Sequence, residues 1–578
     1  MNQFVLAIDI GSSSIRCSAY RIETNGPLKQ SDDYVLHLEA KHSSSHKMQC
    51  VSSETSKIPA LQVLEQVDEC LDKSLSSLRS FHVEQKRKFQ ILCVGISSFV
   101  MNLLAVNIDT GDIVESFTYA CREDIVIKKV TELESTLGEQ RCGDLFQRTG
   151  VPLHSAYALP QLCHYYSSSS KLDHKIKFQT LSSMCLARWQ NKTYLDQISY
   201  SEASWTGLLD VSKGTWDSTA LSFLPDGIQQ CLPIPVDPSQ NPISFSHDKN
   251  LEKSHPYHIK LPELYQEGTV LYLGEGDGAC ANIGSKCTSF HRIAMTIGTS
   301  AAVRVCLPYT INSKSSPITI SKGLFCYRIN SNYILVGGAL TDGGSVVEWI
   351  QSLLQLQNFS SSSSSSDKTI KSLGFYECMQ QVQQLMKYQS NHKSKLIVIP
   401  FLSGERSTGF RAHATGCIFG VTRQTTPAKF VKACLEGVVL RLYAIVSLML
   451  PILQQIHDSN ARAKDQSGDM VIVASGTALE KNSVWRQMIA NCMGYDVILD
   501  KEGRTESTSR GIARIITLAY LENIRSTNDT IFFQDEPLLV VERSAPNASM
   551  GSQMQDKDYW NTLRDKQEAL IQAVSSLW

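Results

Sequence analysis

An almost unbroken apolar run opens the chain: Phe4-Val5-Leu6-Ala7-Ile8 is interrupted by Asp9, resumes at Ile10 and stops at Gly11-Ser12-Ser13-Ser14. A short apolar run that ends in glycine and hydroxyl residues predicts a buried strand entering a tight turn. A second strand is expected from Ile15 to Arg21. The same pattern returns 287 residues later, where Ala294-Met295-Thr296-Ile297-Gly298-Thr299-Ser300-Ala301 leads into the apolar stretch Ala302 to Leu307. Each segment predicts a β-hairpin, and the repeat predicts a duplicated domain. Such turns present bare backbone N–H groups and short hydroxyls, which together cradle phosphate. Two cradles, one per half, point to a polyphosphate gripped between the copies. The copies differ at one chemically important position, Asp9 in the first against Thr296 in the second.

The pattern between and beyond the hairpins extends this picture. Tyr34–Glu39 completes an opening meander, and Ser43–Lys57 predicts a polar surface loop. Leu61, Val63, Leu64, Val67, Leu71, Leu75 and Leu78 recur at helical spacing, ahead of the apolar strand Gln90–Ile96. Leu103–Asn107 and the turn Asp109-Thr110-Gly111-Asp112 predict another hairpin. Thr269–Leu273 reads as a strand that runs into Gly274-Glu275-Gly276-Asp277-Gly278 and a helix of small residues, Ala279–Gly284. Tyr333–Val336, Leu396–Ile399 and Met470–Val473 are short strands followed by glycine-containing loops and helical patterns. Alternating strands and helices in both halves predict an α/β fold of two domains, 1–287 and 288–578, with a cleft between them. The serine run within 358–368 predicts a flexible surface insertion.

Composition and charge set limits. A chain of 578 residues needs more than one core. Its 55 basic and 56 acidic residues leave a formal charge of −1, so no electrostatic argument favours nucleic acid or an anionic membrane. The seventeen cysteines show no C-x-x-C pair and read as reduced thiols of a cytoplasmic protein. Met1-Asn2-Gln3 runs straight into a strand without a charged leader, again pointing to the cytoplasm. The most apolar stretch, Val438–Leu453, contains Arg441 and Pro451 and is short for a membrane span, so it is expected to be a core helix.

Candidate chemistry sits at the glycine turns. Asp9 at the mouth of the first hairpin can hold Mg²⁺ or its water shell against phosphates, or simply stabilise its own turn. Asp277, flanked by Gly276 and Gly278 after a buried strand, fits a helix N-cap. It equally fits a cleft carboxylate that takes the proton of a phosphoryl-acceptor hydroxyl. Ala474-Ser475-Gly476-Thr477 is a loop suited to a nucleotide base or ribose, whereas the Trp485, Ile489 and Met493 stripe behind it reads as core. His154 and His164 have no partner at ligand spacing, and no metal cage of protein ligands is visible. No G-x-x-x-x-G-K-[ST] pattern occurs, which excludes a P-loop enzyme.

Taken in order, Asp9-x-Gly11-Ser12-Ser13-Ser14-x-Arg16, Gly276-Asp277-Gly278, Gly298-Thr299-Ser300 and Ser475-Gly476-Thr477 resemble the carbohydrate kinases of the FGGY family. Gly416-x-Ile418-x-Gly420-Val421, running on to Ala433 and Glu436, is similar to the family's C-terminal signature, with departures at Lys429 and Cys434. Arg148-Thr149-Gly150, Tyr200 to Ser204, Gly207 to Asp210 and Phe401 to Arg406 also match, so the resemblance spans the chain. Gluconokinase-type members look most similar, through Arg148 to His154, Met295 to Ser300 and Glu506 to Gly511.

The resemblance implies two duplicated actin-like, ribonuclease-H-like domains and ATP-dependent phosphorylation of a sugar, sugar acid or polyol, with gluconate the first choice. Pentuloses, a heptulose and glycerol are the alternatives. It implies Gly11, Ser12, Ser13, Arg16, Gly298 and Thr299 at the phosphates, Gly476 and Thr477 at the adenosine, and Asp9 at Mg²⁺ through water. Asp277 becomes the catalytic base, and Ser98, Met101 and Arg122 join it at the sugar. Two of these positions depart from the family: Met101 replaces an acceptor-pocket His, and Tyr119-Ala120-Cys121-Arg122 lacks its Asp. Losing such a hydrogen-bonding partner costs about 1–3 kcal/mol, so a shifted substrate or a rewired pocket is expected. A ligand-binding protein without turnover and an actin-like ATPase remain the competing classes. The expected partners are a small carbohydrate and ATP, without nucleic acid or membrane, and a homodimer is left open.

Overall fold

The computed structural model describes residues 2–578 apart from 25–27, 29–33, 46–56, 85–87, 122, 168–171, 245–256, 258–259, 312–317, 357–373, 388–395, 460–468, 501–505, 526–532, 534–536 and 548–549. The serine-rich insertion and Arg122 fall outside the described residues.

Two seven-stranded sheets carry the molecule, and their cores are wired alike. In the first, Asn2–Ile10 pairs antiparallel with Ser14–Thr24 and parallel with Phe89–Ser98. Ser14–Thr24 then pairs with Tyr34–Ser45, and Phe89–Ser98 with Val270–Leu271. In the second, Arg292–Ile297 pairs antiparallel with Ala301–Pro308 and parallel with Val471–Ser475. Ala301–Pro308 continues into Tyr333–Leu340, and Val471–Ser475 into Asp496–Asp500. Both sheets therefore place a central strand between its hairpin partner and a parallel neighbour reached by a crossover. This repeated order is the structural form of the sequence repeat. The first half adds a three-stranded sheet of Asn102–Asn107, Ile113–Thr118 and Ile176–Thr180.

Most predicted elements appear with longer bounds. Ser43–Ser45, expected in a loop, instead extend the third strand. The helix Ala60–Glu84 buries Val63, Leu64, Val67, Leu71, Leu75 and Leu78, whereas Leu61 points to solvent. Helix Pro427–Ser459 contains the predicted core stretch. Its span is apolar and long enough to cross a membrane, but 72% of that window is buried inside the protein. The cysteines among the described residues are all free.

The halves are locked by two helices that cross at glycines. Helix Asp277–Gly284 follows the last parallel strand of the first sheet, and Ser507–Ile524 follows that of the second. A Cβ on Gly284 would lie 1.7 Å from the Ser507 carbonyl oxygen, and one on Gly511 would lie 1.8 Å from that of Cys280. Each helix therefore meets the other backbone to backbone. Arg514 fixes the crossing by donating to the Ile283 carbonyl at 2.7 Å. The second helix also covers the first sheet, where Gly95 makes room for Ile512 and Ile516. The halves therefore meet at this crossing with no side chains between the two helix backbones.

Candidate active site

The hairpins bring their turns to the surface with different geometry. In the first, Ile10 pairs with Ile15, and Gly11 N–H donates to the Ser14 carbonyl at 2.9 Å. In the second, Ile297 pairs with Ala301, and Gly298 N–H donates to the Ser300 carbonyl at 2.9 Å. The second turn is one residue shorter, so the strands after the turns do not keep the 287-residue offset. Ser12, Ser13, Thr299 and Ser300 are exposed at the tips, and a Cβ on Gly298 would meet nothing within 4 Å. Both tips thus leave room for a phosphate.

Their surroundings differ further. Gly343 and Ser345 N–H groups donate to the Thr299 carbonyl at 2.8 and 3.1 Å, and Gly344 N–H to that of Gly298 at 2.7 Å. These residues lead into helix Ser345–Leu353, so the second tip is riveted to a helix start. Gly476, at φ 89°, lies so close to the same hairpin that a Cβ would meet the Ile297 carbonyl oxygen at 2.4 Å. Thr296 and Ser475 hydroxyls are 2.8 Å apart. Gly476 and Thr477 are therefore grouped with Gly298 and Thr299. The Gly343-Gly344 step was not singled out from the sequence, although paired glycines after a strand were the available signal.

Asp9 lies opposite Arg16 in the strand register, and Arg16 Nη1 donates to its Oδ2 at 3.3 Å. The Asp9 side chain is 5% exposed and that of Arg16 37%. Burial pushes the Asp9 carboxyl up to about 7 against the lowering effect of Arg16, with Asp277 and Glu506 adding like-charge repulsion. Glu506, from the second half, keeps a 9%-exposed side chain; one oxygen pairs with Lys41 at 2.5 Å. Its other oxygen, Oε2, is buried without a hydrogen-bond partner. Among the described residues no group of three metal-ligating side chains forms, so Asp9 and the orphaned Glu506 oxygen are single carboxylate groups rather than a cage. Such an arrangement suits a cation held through its water shell rather than by direct protein ligands.

Asp277 begins its helix and faces a cavity built from both halves. Val100, Trp205 and Gly276 line it from the first, and Arg304, Tyr327 and Arg406 from the second. Burial raises the Asp277 carboxyl above its ordinary value, opposed by Arg304, by the Gly278 backbone N–H, by Arg406 and by the Val100 backbone N–H. Gly278 has a specific function here: a Cβ would sit 3.1 Å from Arg304 Nε, so its absence gives the guanidinium room. Arg406 stands on a loop held at both sides. Glu405 accepts from Arg411 at 2.6 Å and from Arg441 at 3.4 Å, and Ser407 N–H donates to the Ala339 carbonyl at 3.0 Å.

Two expected sugar contacts lie elsewhere. Ser98 is fully buried, donating to Glu202 Oε1 at 3.2 Å within a network that includes Ser182 and Thr180. Met101, at φ 62°, packs in the apolar core with Trp205 and Tyr157. Neither side chain lines the cavity at Asp277. Asn102 is also internal, accepting from Leu181 N–H at 2.9 Å and donating to Ser98 at 3.1 Å. Cys121 is buried, and burial pushes its thiol up to about 11. Met101 and Cys121 are thus buried away from this cavity, whose polar side chains include Asp277, Ser201, Arg304, Arg328, Arg406 and Tyr327.

Paired Gly-hydroxyl hairpins, a glycine loop at the second and a carboxylate in the cavity between duplicated halves of actin-like fold form an arrangement suited to phosphoryl transfer. Residues 293–520 match the C-terminal domain of the FGGY family of carbohydrate kinases. The chain is 23% identical over 540 residues to a gluconokinase of Bacillus licheniformis, covering 92% of this chain and 91% of the relative. A xylulose kinase of Staphylococcus epidermidis is also 23% identical, over 46% of each chain. The crystal structure of gluconate kinase from Lactobacillus acidophilus superposes with a TM-score of 0.71 at 19% identity, covering 99% of this chain and 98% of that one. The second half thus carries the C-terminal domain of the FGGY carbohydrate kinases, and the chain as a whole is similar to ATP-dependent kinases of that family.

Proposed function

We propose that this kinase transfers the γ-phosphoryl group of ATP to a hydroxyl of gluconate, with Asp277 as the general base. The observation that carries the reading is Asp277 itself, a carboxylate facing a cavity that both halves build. Gluconate is favoured because the similarity to a gluconokinase runs along nearly the whole chain, whereas that to a xylulose kinase covers less than half.

In this reading Gly11, Ser12 and Ser13 hold phosphate oxygens from one side, and Gly298 and Thr299 from the other. Gly476 and Thr477 receive the adenosine, and Arg16 adds positive charge near the transferred group. Asp9 would hold Mg²⁺, largely through its water shell. When bound, the cation offsets the charge of the nucleotide phosphates. Asp277 accepts the acceptor hydroxyl's proton as the oxygen attacks. Phosphoryl transfer is mostly positioning and electrostatics, so closing the halves over the substrates and excluding water matters as much as any one group. A cytoplasmic setting accords with this use of ATP.

The test is ADP formation with a panel of gluconate, xylulose, ribulose, a heptulose and glycerol. Gluconate should give the highest kcat/KM, and Asp277→Ala should abolish transfer while ATP binding stays near that of the native protein. A neutral acceptor outrunning gluconate would overturn the substrate assignment. Acceptor-independent hydrolysis would instead favour an actin-like ATPase, and ligand-induced stabilisation without turnover a binding protein. Transfer by Asp277→Ala at the native rate would remove the base.

A further inference from the structure

Three arginines line the cavity at Asp277, and the fold uses them differently. Arg328 is fully buried and braces loops: Nε donates to the Val211 carbonyl at 2.7 Å, and Nη1 to those of Asn330 and Ser331 at 3.3 Å each. Arg304 and Arg406 have no hydrogen bond and no ion pair from their guanidinium groups among the described residues. Both nevertheless act on Asp277 through space, and Arg304 feels Arg406 as a like charge. Two such cations drawn towards one carboxylate leave an excess positive charge in a largely enclosed site. Holding a charge out of water without a partner is unfavourable, so an arrangement of this kind calls for an anionic ligand.

The surroundings show that the pair is placed rather than left over. Gly278 clears space for Arg304, and the loop of Arg406 is pinned through Glu405 and Ser407. Tyr327, another wall residue, has its hydroxyl 3.2 Å from that of Tyr157, offering polar contacts beside the guanidiniums. Trp205, Phe325 and Leu335 supply apolar surface. A neutral polyol would use the hydroxyls and leave both cations unmatched.

We propose that Arg304 and Arg406 form a carboxylate-reading subsite, so that the acceptor is selected as a sugar acid while its reacting hydroxyl faces Asp277. The proposal rests on the reading of this cavity as the acceptor site and adds the residues that determine specificity. Guanidinium groups suit this task because their fixed fork of donors matches a carboxylate. The competing use of the same pair is to hold the phosphoryl group in transfer, and the two uses give different kinetics.

The test compares gluconate with glucitol, which differs only in carrying an alcohol where gluconate carries the carboxylate. Binding is measured calorimetrically on the full chain without ATP, and KM and kcat are measured with ATP, for native protein, Arg304→Gln, Arg304→Lys and Arg406→Gln. The native protein should prefer gluconate on the order of 100-fold. Arg304→Gln should erase most of that ratio by raising the gluconate Kd and KM, while glucitol binding and the KM for ATP stay near native. Arg304→Lys should restore part of the preference. Arg406→Gln, on a loop, provides the same readout if Arg304→Gln does not fold.

Equal native binding of gluconate and glucitol would overturn the proposal. So would variants that lower kcat for both acceptors alike with the binding ratio intact, which would assign the pair to the phosphoryl group. Failure of the kinase reading is separable: no acceptor would then yield ADP, yet the binding ratio would still report on the arginines.

Discussion

The two glycine hairpins share one sequence pattern, but the first sets Asp9 opposite Arg16 before a four-residue turn, while the second sets Thr296 opposite Ala302 before a three-residue turn on a fixed platform. The first turn is closed by its own Gly11–Ser14 bond and held at its ends by Phe99 N–H on the Ile10 carbonyl and by the Ser14–Ser45 pairing, whereas the second is riveted at its tip by Gly343, Gly344 and Ser345. The first hairpin's outgoing strand sets Arg16 opposite Asp9; the second sets Ala302 opposite Thr296 and Arg304 opposite Ala294. One copy thus gathers charge at its mouth, and the other carries its cation further along the strand to the cavity at Asp277. On the proposed reading, duplication provided two phosphate cradles, and divergence of a few side chains gave the cleft a metal side and an acceptor side.

Removing the charge that distinguishes the copies should have the largest effect. Asp9→Asn should lower kcat on the order of 100-fold, because the carboxylate helps hold the cation against the phosphates. Thr296→Val, the matching change in the other hairpin, should stay within about threefold, as a hydroxyl lost from a fixed turn touches no developing charge. Steady-state rates at saturating ATP check both, and equal losses would erase the asymmetry.

Rigidity is the next contrast. Gly344→Ala would place a Cβ 2.4 Å from the Gly298 carbonyl oxygen, and Gly511→Ala one 1.8 Å from that of Cys280. Backbone cannot retreat as a flexible side chain can, so each should cost about 1–3 kcal/mol or more in unfolding free energy. Gly344→Ala should also weaken ADP binding, because it shifts the second tip. Gly111→Ala is the control for glycine loss at a solvent-exposed turn, since its Cβ would meet nothing within 4 Å, although its φ of 76° adds local strain. Denaturant titration and calorimetry with ADP separate these outcomes.

The smallest expected effect is on pH dependence. Asp277 must be ionised to accept a proton, and burial raises it above the ordinary carboxylate value. Consequently kcat/KM should fall on the acid side through a correspondingly raised apparent pKa. Arg304 and Arg406 oppose that rise, so Arg304→Gln should move the acid limb to higher pH. A shift to lower pH would contradict the electrostatic picture.

The features legible in the sequence are those that backbone geometry forces on it. Apolar runs ending in glycine announced both hairpins, and the glycines around Asp277 announced a crowded strand end. The one-residue difference in turn length was not legible, since identical Gly-hydroxyl residues continue through both turns and the offset appears only when strands pair. Arg304 was hidden for a similar reason: flanked by Val303 and Val305, it reads as the polar phase of an ordinary strand, and its target comes from the other half of the chain. Ser98 and Met101 show the reverse. Their positions match the family's pocket, but the Glu202 network and the Trp205 core take up their side chains. Glu506 was visible as part of a motif, yet its nearness to Asp9 depends on the helix crossing at Gly284 and Gly511.

The inequality of the hairpins is tested most directly by measuring Mn²⁺ affinity, by electron paramagnetic resonance, for the ADP complexes of native protein, Asp9→Asn and Thr296→Val. The expected result is at least a tenfold weaker Kd for Asp9→Asn and a native value for Thr296→Val. Equal weakening by both substitutions, or an unchanged Kd in Asp9→Asn, would contradict the assignment of the cation to the first hairpin.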